Sequence, residues 1–244
     1  MTNKYMYFVA NWKMFGELNS LNSLNKVIKF SKNFKKKSIK IIYCPPATLI
    51  NSMSKMFKNS QIKVGAQNAH ESDNYGSFTG SINSKMLKDA GAKYIILGHS
   101  ENRKSGETNR LINLKIKSAL KINLKVIFCI GETLQEKREK KTIKILNNQI
   151  KLGLKGITNK KDIIIAYEPV WSIGTGLTPK KNDLFKTINS LKKKNKKLKV
   201  LYGGSVNPRN ISDLKSINNI DGFLIGGSSQ ETKKFIDIIK KTYN

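Results

Sequence analysis

The sequence predicts an α/β protein: a closed (β/α)8 barrel of eight parallel strands with surrounding helices, with residues 1–244 forming a single domain. Three observations carry that reading. Eight short apolar segments recur along the chain, with starts about 31 residues apart on average. Several are near-continuous apolar runs, the pattern of parallel strands buried on both faces. The intervals carry polar and amphipathic, helix-like patterns, and eight strand–helix units in roughly 250 residues match the size of a closed barrel.

The strand candidates, in order, are Tyr5–Ala10, Ile39–Tyr43, Gln61–Gly65, Tyr94–Leu97, Lys125–Cys129, Ile163–Tyr167, Lys199–Tyr202 and Gly222–Ile225. Before the fifth, Leu111, Leu114, Ala119 and Leu120 approximate one helical face. After the eighth, Phe235, Ile236, Ile238 and Ile239 do the same. Thr178-Pro179 reads as a helix start, because proline is tolerated in a first turn where its missing N–H has no partner. No stretch has the composition of an interdomain linker. An open doubly wound sheet is the structural runner-up, but no GxGxxG follows the first strand.

Composition bounds the partners. Apolar residues make up 39% of the 244, enough for a sizeable core. No run approaches the roughly 18 apolar residues of a membrane span. Tyr5–Ala10 is too short for a signal peptide and runs straight into Asn11-Trp12-Lys13. No membrane association is expected. Cys44 and Cys129 lie 85 residues apart in apolar contexts and read as reduced thiols, which predicts a cytoplasmic protein. With two histidines and no CxxC or HxxxH spacing, no metal site is expected.

The formal net charge is +30, and it rests on 42 lysines and only four arginines, beside 26 asparagines. Lys, Asn and Ile share A/T-rich codons, so coding bias accounts for the excess without a nucleic-acid partner. Nucleic-acid readers lean on arginine and on stacked aromatics. Runs such as Lys35-Lys36-Lys37 and Lys192–Lys197 fall near predicted helix ends, as solvated faces do. A non-catalytic polyanion-binding role is the alternative that the charge alone suggests; no specific nucleic acid is expected. A positive field would also attract an anionic substrate, in a salt-dependent way.

Barrels of this class carry their chemistry at the C-terminal ends of the strands. Asn11-Trp12-Lys13-Met14 follows the first strand, Gly98-His99-Ser100-Glu101 the fourth, and Glu168 the sixth. His70 reads as structural. Barrel geometry would bring Lys13, His99 and Glu168 to one mouth. After Glu168 comes a stiff Pro-Val-Trp corner and a Ser172-Ile173-Gly174-Thr175-Gly176 tip, the make-up of a lid. Gly203-Gly204-Ser205 and Gly226-Gly227-Ser228 follow the seventh and eighth strands, where glycine lets backbone N–H groups approach an anion. A carboxylate base, an uncharged imidazole and a lysine suit proton abstraction beside a carbonyl, with the imidazole and the ammonium group stabilising the enediolate oxygens. No cofactor fingerprint is present, so no cofactor and no net redox change are expected.

At these residues the sequence resembles the triosephosphate isomerase family along essentially its whole length. The matching segments are Asn11–Met14, Gly65–Asn68, Phe78–Gly80, Gly98–Glu101, Cys129–Glu132, Tyr167–Gly176, Tyr202–Val206 and Gly222–Gly227. The resemblance implies the TIM-barrel fold and interconversion of dihydroxyacetone phosphate and glyceraldehyde 3-phosphate, in glycolysis and gluconeogenesis. It implies Glu168 as base, His99 as electrophile, and Lys13 with Asn11 as binders of substrate and enediolate. It implies phosphate on the backbone of Gly174, Ser205, Gly226 and Gly227, with Ile173 and Leu224 as an apolar cover over Glu168. Glu101 would support Lys13. Glu132 would hold Trp171 in the open lid, and Tyr202 with Ser205 would latch the closed one. Phe78-Thr79-Gly80 resembles a loop that docks into a second copy, which implies a homodimer with Thr79 reaching the partner. Three residues depart from the family pattern: Ser172 stands for alanine, Ser81 for glutamate and Asn102 for arginine. The segment Lys104–Glu107 is about one residue short. The last two substitutions imply a weakened link between the third and fourth loops, and Ser172 implies altered lid opening.

Overall fold

The computed structural model describes residues 6–34, 38–196 and 198–243. Tyr5, the Lys35-Lys36-Lys37 run and Lys197 lie outside the described residues. The strands are β1 Met6–Asn11, β2 Ile39–Cys44, β3 Lys63–Ala66, β4 Tyr94–Leu97, β5 Lys125–Ile130, β6 Ile163–Tyr167, β7 Lys199–Tyr202 and β8 Gly222–Ile225. They pair in chain order, all parallel, and β8 returns to β1 to close the barrel. The helices among the described residues are α1 Asn25–Asn33, α2 Ile50–Met56, α3 Ser84–Asp89, α4 Ser100–Lys104, α5 Asn109–Lys121, α6 Leu134–Arg138, α7 Thr142–Gly153, α8 Lys181–Lys194, α9 Ile211–Lys215 and α10 Thr232–Tyr243.

Two apolar cores explain the near-continuous strand sequences. Side chains alternate across a strand, so both faces here must be apolar. One set, including Phe8, Ala10, Phe128, Ile165 and Phe223, packs outward against helix residues such as Ile112, Ile188 and Phe235. The other, including Val9, Ile42, Ile96, Ile127, Ile164, Leu201 and Leu224, fills the barrel. Each fully buried side chain of this size stabilises the fold by about 1.5–3 kcal/mol relative to exposure.

The structure shifts several predicted boundaries. β1, β2 and β5 each run one residue further, to Asn11, Cys44 and Ile130. β3 starts at Lys63 rather than Gln61, because Ile62 still belongs to a turn in which its N–H donates to Ser60 Oγ (3.2 Å). The buried stripe of α5 is Ile112, Ile116 and Ala119, an i, i+4, i+7 set, while Leu114 is exposed. At 100° per residue Leu114 lies some 200° from Ile112, so the expected face of Leu111 and Leu114 is offset. Thr178-Pro179 does not open a helix. Pro179 is buried and Lys180 extended, so the proline anchors the end of the preceding loop and α8 begins at Lys181. The α10 stripe is as expected, with Phe235, Ile238 and Ile239 buried and Ile236 partly so.

The seam between β1 and β8 closes the fold. Tyr7 pairs with Gly222, and Tyr7 N–H donates to Asp221 O (2.9 Å). Asp221 Oδ2 accepts from Val200 N–H (2.8 Å) and pairs with Lys192 of α8 (2.5 Å). Gly222 has φ +151°, and a Cβ there would sit 2.1 Å from the Tyr7 carbonyl oxygen. Gly222→Ala therefore adds strained backbone, about 1–3 kcal/mol, to overpacking of similar size. We expect it to lower unfolding stability by about 3 kcal/mol or more in urea titrations; a loss under about 1 kcal/mol would contradict this account of the seam.

Candidate active site

Because every strand runs the same way, the loops that follow them share one rim. There they surround a cavity of about 200 Å³. Asn11, Lys13, His99, Glu168, Ile173, Gly174, Ser205, Leu224, Gly226 and Gly227 all line it. Glu101 contacts Lys13 and His99, while Glu132 with Trp171, and Tyr202 with Ser172, lie in and around the lid that borders the cavity. Thr79 lies apart, exposed on the loop between β3 and α3.

His99 ends the β4 connection and caps α4: its Nδ1 accepts the Glu101 N–H (3.2 Å). A ring nitrogen that accepts an amide N–H leaves the ring proton on the other nitrogen. Nε2 is therefore the protonated one. It lies 3.6 Å from Glu168 Oε1. Both side chains are about 95% buried, yet His99 Nε2 and Glu168 Oε2 find no hydrogen-bond partner within the protein. Buried polar atoms are nearly always paired, so two such atoms facing one cavity mark it as a site built for a ligand.

Glu168 is held by its backbone and by the room around it. Its N–H donates to Ile130 O (2.8 Å), continuing the β5–β6 ladder. Gly203 closes in from β7, where a Cβ would lie 2.6 Å from Glu168 Cγ; only glycine admits the carboxylate side chain there. Beside it, burial first and the Glu168 charge second push the Cys129 thiol well above its ordinary range. Cys129 stays protonated and acts as packing.

Lys13 adopts a left-handed backbone, φ +56°, uncommon for a residue with a Cβ. Three contacts hold it. Its N–H donates to Asn11 Oδ1 (3.2 Å), its carbonyl accepts from Gln67 Nε2 (2.9 Å), and its Nζ meets Glu101 Oε1 at 2.6 Å. Burial opposes ionisation of Glu101, but Lys13, His99 and Lys104 outweigh it and hold the carboxyl below the usual range. Gln67 also donates to Cys44 O (2.7 Å), tying the ends of β1, β2 and β3 together. Sequence reasoning assigned Gln67 no role. The carbonyl it serves is 54 residues away, and no local pattern signals that.

Among the described residues no hydrogen bond or ion pair joins Ser81 to Asn102, and the third and fourth loops meet through other residues. Lys115, buried on α5, pairs with Glu107, and both Lys115 Nζ (3.1 Å) and Glu107 Oε1 (2.9 Å) engage the Asn68 side chain. A lysine from the helix thus bridges the two loops. Such a pair, less than a tenth exposed, resists screening that would nullify a surface one.

In the lid, Trp171 Nε1 and Tyr167 OH both donate to Glu132 Oε1 (3.1 and 3.2 Å), and Lys137 Nζ sits 3.5 Å over the Trp171 ring. On the other side, Ser205 Oγ donates to Ser172 O (2.8 Å) and accepts from Gly176 N–H (3.1 Å). Tyr202 OH lies 3.2 Å from Ser172 Oγ, which itself donates to Leu177 O (2.5 Å). The contacts expected to alternate between open and closed states therefore coexist. Trp171 and Ser172 are neighbours on one tight turn, Val170–Ser172, and their side chains reach different partners, Glu132 and Tyr202. The Ser172 hydroxyl is central to the latch, making contacts that alanine would lack.

Comparison with known proteins agrees with this architecture. A family model described as Triosephosphate isomerase matches residues 6–242. A triosephosphate isomerase from Dictyoglomus thermophilum is 41% identical over 244 residues, covering 95% of this chain and 97% of that one. Another from Thermodesulfovibrio yellowstonii is 42% identical over 245 residues, covering 96% and 98%. The crystal structure of triosephosphate isomerase from Bartonella henselae superposes with a TM-score of 0.89 at 32% identity, covering 98% of this chain and 99% of that one. With the barrel, the rim and its facing acid and imidazole in place, the chain belongs to the triosephosphate isomerase family.

Proposed function

We propose that this chain interconverts dihydroxyacetone phosphate and D-glyceraldehyde 3-phosphate through an enediolate, in glycolysis and gluconeogenesis in the cytoplasm. The observation that carries the reading is the Glu168–His99 pair: a carboxylate and a ring N–H, 3.6 Å apart, both unsatisfied, facing one small cavity. Glu168 removes a proton from the carbon beside the carbonyl. His99 Nε2–H donates to the carbonyl oxygen as negative charge develops on it, and moves protons between the two oxygens. Glu168 then returns its proton to the neighbouring carbon, so no group is gained or lost. Lys13, positioned by Glu101 and Asn11, offsets the charge of the substrate and enediolate. Neither step needs more than proton transfer.

The phosphate binds the backbone N–H groups of Gly174, Ser205, Gly226 and Gly227, where small side chains leave the amides accessible. Ile173 and Leu224 cover the carboxylate. The lid over them excludes water, which would otherwise let the enediolate eliminate phosphate.

The same reading includes a homodimer. Exposed apolar side chains lie on the loops after β1 and β3 and on α3: Met14 at 99% exposure, Tyr75 at 74%, and Phe15, Phe78 and, on α3, Met86 near half. Phe78 stacks on His70 (centroids 4.3 Å apart), which stiffens the β3 loop beneath Thr79. Surface of this kind supports burial against a second copy.

A coupled isomerisation assay tests the mechanism. Glu168→Asp withdraws the carboxylate by about 1 Å and should cost roughly 10²–10³ in kcat; an inactive wild type, or a variant of equal activity, would refute the assignment. Light scattering tests the assembly: wild type should run at twice the 27.5 kDa chain mass and Thr79→Arg as a monomer. The lid contact gives a pH test. Burial holds the Glu132 carboxyl above its usual range despite Trp171 and Tyr167 donating to it. A raised carboxyl lends stability at low pH that is lost as pH rises through its folded-state pKa. The Tm advantage of Glu132→Gln over wild type should therefore grow as pH rises above about 4, the ordinary carboxylate range; a constant difference would contradict it.

A further inference from the structure

The opposite end of the barrel carries its own pattern. Counting back two residues from an interior residue of β2, β3, β5 and β7 (Ile42, Gly65, Ile127 and Leu201) gives Lys40, Lys63, Lys125 and Lys199. On four of the eight strands the interior position nearest the N-terminal mouth is thus a lysine. Lysine is 42 of 244 residues, about one in six, so coding bias alone would put one or two there. The same count on β1 and β4 gives two tyrosines, Tyr7 and Tyr94.

These lysines are gathered rather than splayed. Lys40 Nζ and Lys199 Nζ both lie over the Tyr7 ring, at 5.5 and 5.7 Å from its centre, and Lys125 Nζ lies 5.9 Å from that of Tyr94. A cavity of about 400 Å³ is lined by three of them, Lys40, Lys63 and Lys125, with Tyr94, Ser60 and Gln61; Lys199 stands beside it, over the Tyr7 ring that it shares with Lys40. Burial and the nearby charges of Lys125 and Lys199 lower the Lys40 pKa, so the ammonium groups are close enough to repel. Two carboxylates stand nearby. Asp162, whose charge reaches Tyr94, occupies the β6 position, and Asp221 is taken by Lys192 and the Val200 N–H. Among the described residues the four lysines outnumber the two carboxylates placed there, so the mouth carries net positive charge.

We propose that the N-terminal mouth of the barrel is a second anion site, taking an oligophosphate group on Lys40, Lys63, Lys125 and Lys199. Aromatic faces steer the ammonium groups towards the opening, and a multivalent anion relieves their repulsion where a single monovalent one cannot. The apolar middle layer of the barrel separates this site from the catalytic mouth.

The test uses the intact protein and inorganic pyrophosphate, with excess dihydroxyacetone phosphate occupying the catalytic mouth and ionic strength held constant. Pyrophosphate should raise the wild-type Tm with a saturating dose response, and bind at least about tenfold more tightly than orthophosphate. Lys40→Gln/Lys125→Gln should abolish the shift, melt higher than wild type without the anion because repulsion is relieved, and keep kcat/KM. The single Lys63→Gln, at an exposed position, should weaken pyrophosphate roughly three- to tenfold and covers failure of the double variant to fold. No shift beyond sodium chloride, an equal shift in the variants, or equal affinity for orthophosphate would each overturn the proposal.

Discussion

Closure of the sheet at the β1–β8 seam is the constraint on which the rest of the molecule depends. It forces all eight strands to finish on one rim, so that loops far apart in sequence face one another across a few ångströms. It admits no side chain at Gly222 and recruits Asp221 to tie β7, β8, β1 and α8 in one place. It also divides the barrel interior into layers. Two residues along a strand is one layer, so β1 passes from Tyr7 through Val9 to Asn11, and β2 from Lys40 through Ile42 to Cys44. The apolar middle layer holds the fold together and leaves each mouth free to carry polar groups.

Polar groups at the upper mouth are costly to bury, and the structure offsets each cost locally. Lys13 in its left-handed conformation has a partner for its N–H, its carbonyl and its ammonium group. His99 has its Nδ1 satisfied by a helix N-terminus, which sets the proton on the nitrogen that faces the cavity. What remains unpaired is confined to the atoms that face a ligand. In a chain with 16 acidic and 46 basic residues, the placing of acids is informative. Glu101 holds Lys13, Glu107 holds Lys115, and Glu132 holds the lid through Trp171. Scarce carboxylates are found where a particular contact has to be fixed, and most lysines are left to solvent.

The lid shows how a substitution gains meaning only in context. Serine at 172 reads in sequence as a small polar replacement. In the fold its hydroxyl meets Leu177 O in the lid loop, Tyr202 OH at the end of β7 and the Ser205 N–H in the loop that follows it. Likewise Ser81 and Asn102 suggest a lost link between loops, while Lys115, which lies on neither loop, ties Asn68 to Glu107.

The sequence by itself determined the strand–helix alternation, the apolar strands and the residues at their ends, because those depend on local periodicity and on composition. Lys13, His99 and Glu168 were legible for the same reason: a polar residue stands out where an apolar run stops. Tertiary structure alone decided the rest. The stripe that α5 buries depends on which side of the helix meets the sheet, and the sequence pattern was one residue out of phase with it. Gln67 and Lys115 act across 54 and 47 residues, and their partners are a backbone carbonyl and an asparagine that carry no mark of the contact. The coexistence of both lid contacts follows from two adjacent side chains of one turn reaching different partners. Contacts of this kind belong to distance in space, which chain closure sets and sequence separation does not reveal.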